Sequence, residues 1–180
     1  RQIIYERFSK IIKDFPDSKW RITRLNGLNL NEEIFDVEVY GKKIINGEKY
    51  VLKSNFKYLF STLNEKIIDG NIKDLLTTIR NDQNKIDIIF RIPEKVLTGT
   101  KYDIDIILNK PLGDVIIAGG IKSHQDESYL EQEINIAPLA SGGIFKMTRA
   151  PSKPITQLWS GIISHPEGVI SFTKSVEIVE

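Results

Sequence analysis

The chain of 180 residues is long enough for one large or two small domains, and 41% hydrophobic and 27% charged residues are ordinary for a folded soluble protein. Its 25 basic and 24 acidic side chains are interspersed and give a net charge of +1, so we expect no nucleic acid and no anionic membrane as the main partner. Since cysteine is absent, disulfides and thiolate chemistry are excluded. No apolar run reaches the roughly 18 residues of a membrane span, and a cysteine-free composition fits cytoplasmic and exported proteins alike.

The first 15 residues predict one amphipathic helix. Apolar residues recur there at helical spacing, at Ile4, Phe8, Ile11, Ile12 and Phe15. Pro16 ends the pattern, because proline cannot continue a helix.

Strand patterns follow the helix and predict a four-stranded antiparallel sheet. The four runs are residues 20–28, 34–41, 49–60 and 66–79. Asn46-Gly47 is a strong two-residue hairpin signal between the second and third runs. We expect the helix to pack on this sheet, with Phe8, Ile11 and Phe15 against the aromatic face of the third strand.

The order of these elements resembles the sheet of the cystatin-like and nuclear-transport-factor-like folds. The resemblance is carried by residues 37–41, by Asn46-Gly47, and by an aromatic strand that runs into residues 63–67. It implies an α+β domain over residues 1–80, with a pocket between the helix and the sheet.

The second half of the chain, residues 81–180, predicts a different domain. Seven strand patterns recur with turn signals between them, at residues 85–92, 101–108, 114–123, 131–137, 143–149, 155–164 and 169–179. Seven strands in about 100 residues, with Trp159 inside, resemble an immunoglobulin-like β-sandwich. The expected fold is therefore one helix on a four-stranded sheet, followed by a seven-stranded sandwich.

Two groups of polar residues are candidates for a site. Asp36, Glu38 and Tyr40 share one face of the second strand; inside a pocket they could act as a general base with a hydrogen-bond donor, whereas on an outer face they would simply meet water. Asp103 and Asp105 also share a strand face and could hold Ca²⁺ or share a proton, or else form a solvated face opposite Lys or Arg. No other metal ligand set and no cofactor motif is found, so we expect no cofactor.

The function that these observations favour is a non-enzymatic binding or assembly module whose partner is another protein. It follows from the lack of a catalytic motif and from two folds that present edges and loops. The alternative is a small-ligand binder, or an isomerase-type enzyme, with Asp36, Glu38 and Tyr40 in a pocket between helix and sheet.

Overall fold

A computed structural model of the protein describes residues 2–25, 32–63, 66–83, 86–109, 115–124, 133–139 and 142–180. The chain divides into two compact units, Arg1–Ile79 (unit 1) and Arg80–Glu180 (unit 2).

One helix and twelve strands are found among the described residues. In chain order they are α1 (Gln2–Asp14), β1 (Lys19–Leu25), β2 (Glu32–Ile45), β3 (Glu48–Leu63), β4 (Lys66–Asn81), β5 (Ile88–Arg91), β6 (Lys95–Leu97), β7 (Lys101–Leu108), β8 (Ala118–His124), β9 (Ala137–Pro138), β10 (Gly143–Arg149), β11 (Ile155–His165) and β12 (Gly168–Val179).

Strands β1, β2, β3 and β4 are neighbours in that order in unit 1. The hairpin predicted at Asn46-Gly47 is confirmed: Ile45 pairs with Glu48, and both turn residues have positive φ, 52° and 83°. Such a two-residue turn suits the right-handed twist of its strands and fixes the register of β2 against β3.

Helix α1 packs on one face of this sheet, which we call the helix face. The predicted packing of Phe8 on β3 is confirmed, with its ring 5.9 Å from that of Phe56 and 6.5 Å from that of Tyr58. Phe15 is buried, and it lies so close to Gly41 that a Cβ at that position would be 2.9 Å from the Phe15 Cβ. The glycine therefore lets the end of the helix approach β2 closely.

The strands of unit 2 lie in two sheets. In one, β12, β11, β8 and β9 are neighbours in that order and β6 pairs in parallel with β12; the other has the order β10, β7, β5. Alternate side chains of these strands fill one core, with Ile104, Ile106, Ile163 and Val176 completely buried and Trp159 nearly so.

The predicted fold class is wrong. The structure is mostly β with one short helix, and its described strands form a sheet of nine and a sheet of three, not a four-stranded sheet followed by a seven-stranded sandwich. Strand β6 was not predicted, and within the described part only Ala137 of the predicted strand at 131–137 lies in a strand, as the first residue of β9. Alternation within a strand specifies which face is buried but not which edges pair, so the pattern left the sheet order open. Neither the nuclear-transport-factor-like nor the immunoglobulin-like resemblance is confirmed.

Parts of three further predicted strands lie outside the described residues, namely 26–28, 85 and 114. In the part of the chain that is described, no helix has both the length and the apolar composition needed to cross a membrane.

Candidate functional site

The sheet of unit 1 has a polar face opposite the helix face, and the predicted site residues of β2 lie on it. Val37 and Val39 are buried on the helix face, so the alternation of a strand directs Asp36, Glu38 and Tyr40 to the other side. The structure thus places these three side chains outside the pocket expected between helix and sheet. A catalytic role for them stays a prediction.

Two of the three, Glu38 and Tyr40, line a groove of about 390 Å³ on this polar face, which we call the outer groove. Its described lining residues are Lys19, Trp20, Arg21, Glu38, Val39, Tyr40, Lys53 and Asn55. Arg21 donates a hydrogen bond to the Glu38 carboxylate across the β1–β2 ladder. This bond and the charge of Glu38 raise the pKa of the Arg21 guanidinium, and the two side chains form an ion pair across the strands.

Two lysines lie beside Tyr40 in the outer groove. Lys19 on β1 is registered directly with Tyr40 from one side, and Lys53 on β3 from the other. A third lysine, Lys42, holds its Nζ 5.4 Å from the centre of the Tyr40 ring. The groove therefore places several cations around one partly exposed phenol.

A second groove, which we call the apolar groove, lies on the helix face of the same sheet. It has a volume of about 430 Å³, and its described lining residues are Phe8, Ile12, Trp20, Ile22, Phe35, Val37, Tyr58 and Phe60. All eight are aliphatic or aromatic. The sequence places them there by alternation, because Trp20 and Ile22 pair with Val39 and Val37, and Phe35 pairs with Tyr58.

Ring contacts hold the walls of the apolar groove in place. Phe8 of α1 meets Trp20 edge to face at 5.4 Å, and Phe35 stacks on Phe60 at 5.3 Å. The indole N–H of Trp20 donates to the Ser18 hydroxyl at 3.0 Å. Aromatic pairs of this geometry contribute about 0.5–1.5 kcal/mol each beyond area burial, so the groove is formed before anything enters it.

The rim of the apolar groove is open to solvent. Ile12 of α1 is 53% exposed and Ile22 of β1 is 61% exposed, although both are large apolar residues. Scattered exposed isoleucines are normal on protein surfaces. Two of them at the mouth of an apolar concavity are less usual and mark a surface that a partner could cover.

Asp103 and Asp105, the candidate metal ligands of unit 2, lie on the outward face of β7. They are registered with the exposed side chains of Met147 and Phe145 on β10. Within the described residues no group of three His, Cys, Asp or Glu side chains is placed to hold a metal ion. The structure therefore brings the two aspartates together without the additional oxygen ligands that Ca²⁺ requires.

The sequence predicted a pocket between helix and sheet, but neither the apolar lining of the groove found there nor the lysines around Tyr40. The strand pattern of β2 separates two faces but does not reveal which of them the helix covers, so the predicted pocket has Asp36, Glu38 and Tyr40 inside it in place of the apolar residues. One signal was present: counting back from the Asn46-Gly47 turn pairs Tyr40 with Lys53.

A family described as "Domain of unknown function (DUF8623)" matches residues 83–179, which is just over half of the chain. No curated protein matches the chain.

Proposed function

The chain belongs to the family described as a domain of unknown function (DUF8623), and we propose that it is a non-enzymatic binding module that receives apolar side chains of a protein partner in the apolar groove. The family match lies in unit 2 and names no activity, so the proposal rests on unit 1. The observation that carries it is a preformed, wholly apolar concavity with exposed isoleucines at its rim.

The size of the rim side chains sets the expected contribution to binding. Full burial of an isoleucine side chain contributes about 1.5–3 kcal/mol. Because Ile12 and Ile22 are each more than half exposed, covering them contributes about 1–2 kcal/mol apiece. Further contacts with the ring walls would add to this, and anchors of this kind dominate protein–protein affinity.

The lining favours a protein segment over a small ligand. Small-ligand pockets bury most of their ligand and carry a few placed polar groups that fix its orientation. The eight described lining residues place no such set of groups in the apolar groove, and its mouth is wide open at Ile12 and Ile22. An amphipathic segment that lays one apolar face in the groove fits both properties.

A small apolar ligand is the second candidate, and the volume of about 430 Å³ favours it because it lies in the range of ligand pockets. A thermal-shift screen with fatty acids and aromatic hydrocarbons distinguishes the two candidates. A saturable rise in the melting temperature that is lost in Ile22→Glu would support the small ligand.

The main test selects partner peptides without assuming their sequence. A displayed peptide library is selected on the whole chain, and the affinity of enriched peptides is measured by fluorescence anisotropy. We expect enriched peptides to carry apolar or aromatic residues three to four positions apart. Ile22→Glu should weaken their binding at least about tenfold, because tenfold corresponds to about 1.4 kcal/mol and the glutamate would also be buried.

The matched control is Ile44→Glu. Ile44 is also an exposed isoleucine of the same sheet, at 72%, but it lies on the opposite face near the β2–β3 turn. We expect it to leave the affinity within about twofold of the original. Equal losses in Ile22→Glu and Ile44→Glu, or a library that yields no enriched peptide, would contradict the proposal.

A further inference from the structure

We propose that the outer groove binds a phosphate group, held between Lys19 and Lys53 over Tyr40. The three residues are direct cross-strand neighbours on β1, β2 and β3. The site lies on the opposite face of the sheet from the apolar groove, so it does not depend on the function proposed above.

The positive charge of these lysines is not cancelled within the described part of the chain. No ion pair joins Lys19 or Lys53 to a carboxylate there. Glu38 is the acidic residue among the described lining residues, and its carboxylate forms an ion pair with Arg21. Asp36 lies four residues along β2 from Tyr40, about 13 Å at the rise of a strand. That separation exceeds the Debye length of about 8 Å at physiological ionic strength, so Asp36 hardly lowers the potential at Tyr40.

The geometry suits one compact anion. Neighbouring strands are about 4.8 Å apart, so the Cα atoms of Lys19 and Lys53 are separated by roughly 10 Å with Tyr40 midway. Lysine side chains are flexible stems that carry a point charge, and two of them can converge on an anion above the ring between them. The Tyr40 hydroxyl adds a donor, and Lys42 over the ring adds positive potential.

A phosphate monoester or pyrophosphate matches this site better than a carboxylate or a long polyanion. A group with about two negative charges gains from both lysines at once, and lysine is a common phosphate ligand. A nucleic acid strand would need basic residues along several phosphates, whereas further along β2 the same face carries the Glu38 and Asp36 carboxylates.

The test uses inorganic pyrophosphate as the probe and the amide signals of the whole chain as the readout, at constant ionic strength. We expect saturable shifts concentrated at residues 19, 40 and 53. The double variant Lys19→Gln/Lys53→Gln should weaken binding at least tenfold. The control Lys13→Gln/Lys153→Gln removes the same charge from exposed lysines elsewhere and should stay within twofold. Unchanged amide spectra in the absence of pyrophosphate show that the variants remain folded.

A second arm identifies the source of the phosphate. Co-sedimentation with vesicles that contain phosphatidylinositol bisphosphate, lost in the double variant, would assign a lipid headgroup; pyrophosphate binding without co-sedimentation would assign a soluble compound. Both outcomes support phosphate recognition. Three results would overturn phosphate recognition: shifts that do not saturate, shifts that sodium chloride reproduces, and a loss of binding in the control pair as large as that in the double variant.

Discussion

Replacement of Tyr102 by phenylalanine tests the buried hydrogen-bond network at the centre of unit 2. The indole N–H of Trp159 donates to the Tyr102 hydroxyl at 2.9 Å, and that hydroxyl donates to Gln157 Oε1 at 2.8 Å. All three side chains are buried. Tyr102→Phe keeps the ring and removes only the oxygen, so it leaves one buried donor and one buried acceptor without partners.

The expected cost follows from those two groups. A buried polar group that loses its partner destabilises a protein by about 1–3 kcal/mol, so for the two groups together we expect Tyr102→Phe to lower the free energy of unfolding of unit 2 by about 2–6 kcal/mol. For a unit of about 100 residues, 1 kcal/mol shifts the melting temperature by about 4–8 °C. A fall of at least about 8 °C is therefore expected.

Urea unfolding followed by tryptophan fluorescence measures this effect. All variants carry Trp20→Phe, so that Trp159 is the sole tryptophan and reports on unit 2 alone. The matched control is Thr100→Val in unit 2: the Thr100 hydroxyl donates to the Leu97 carbonyl at 2.8 Å at the surface, and its loss should cost less than about 0.5 kcal/mol. A Tyr102→Phe variant as stable as Thr100→Val would refute the reasoning.

Three further predictions use urea unfolding as well, followed for unit 2 by Trp159 fluorescence and for unit 1 by the amide signals of its own residues. Burial raises the pKa of the Tyr102 hydroxyl above its usual 10.0, so the contribution of this hydroxyl to stability is complete below pH 10 and is lost as the pH rises through the folded-state pKa. The free energy of unfolding of the original chain should therefore fall more steeply in this pH range than that of Tyr102→Phe. Parallel pH profiles of the two chains would contradict this. Gly41→Ala should destabilise unit 1 by about 1–3 kcal/mol, because its Cβ would be 2.9 Å from the Phe15 Cβ, and an unchanged midpoint would show that α1 shifts freely. Gly47→Ala should cost about 1 kcal/mol, because its φ of +83° disfavours a side chain although the space is open, and a gain in stability would contradict this.

Local features of the fold were predictable where one short-range rule decides the structure. Pro16 limits the helix, and Asn46-Gly47 permits hardly any turn but a tight hairpin, so α1 ends at Asp14 and Ile45 pairs with Glu48. Strands β7 and β10 have the predicted bounds, and β7 does so because it alternates between buried and outward residues along its whole length.

The sheet order was not predictable, because it depends on pairings between distant segments. Strand β6 has three residues and pairs in parallel with β12 some 80 residues later, at Val96 and Ile178. A three-residue run carries no period that could be recognised in the sequence. The prediction of a seven-stranded sandwich is wrong for this reason, because the number of strand patterns in the sequence does not determine which strands pair with each other.

The candidate site was predictable in part. The alternation of β2 separates Val37 and Val39 from Glu38 and Tyr40, but only the position of α1 decides which set faces the helix. The hairpin register implies that Lys53 lies beside Tyr40, whereas the position of Lys19 depends on the register of β1, which no two-residue turn fixes.

The central claim, that the apolar groove receives apolar side chains of a protein partner, is tested most directly by intermolecular nuclear Overhauser effects from isoleucine methyl groups to a selected peptide. We predict contacts from the methyl groups of Ile12 and Ile22, on the two walls of the groove, and none from Ile44. Contacts from Ile44 in place of Ile12 and Ile22 would contradict the account.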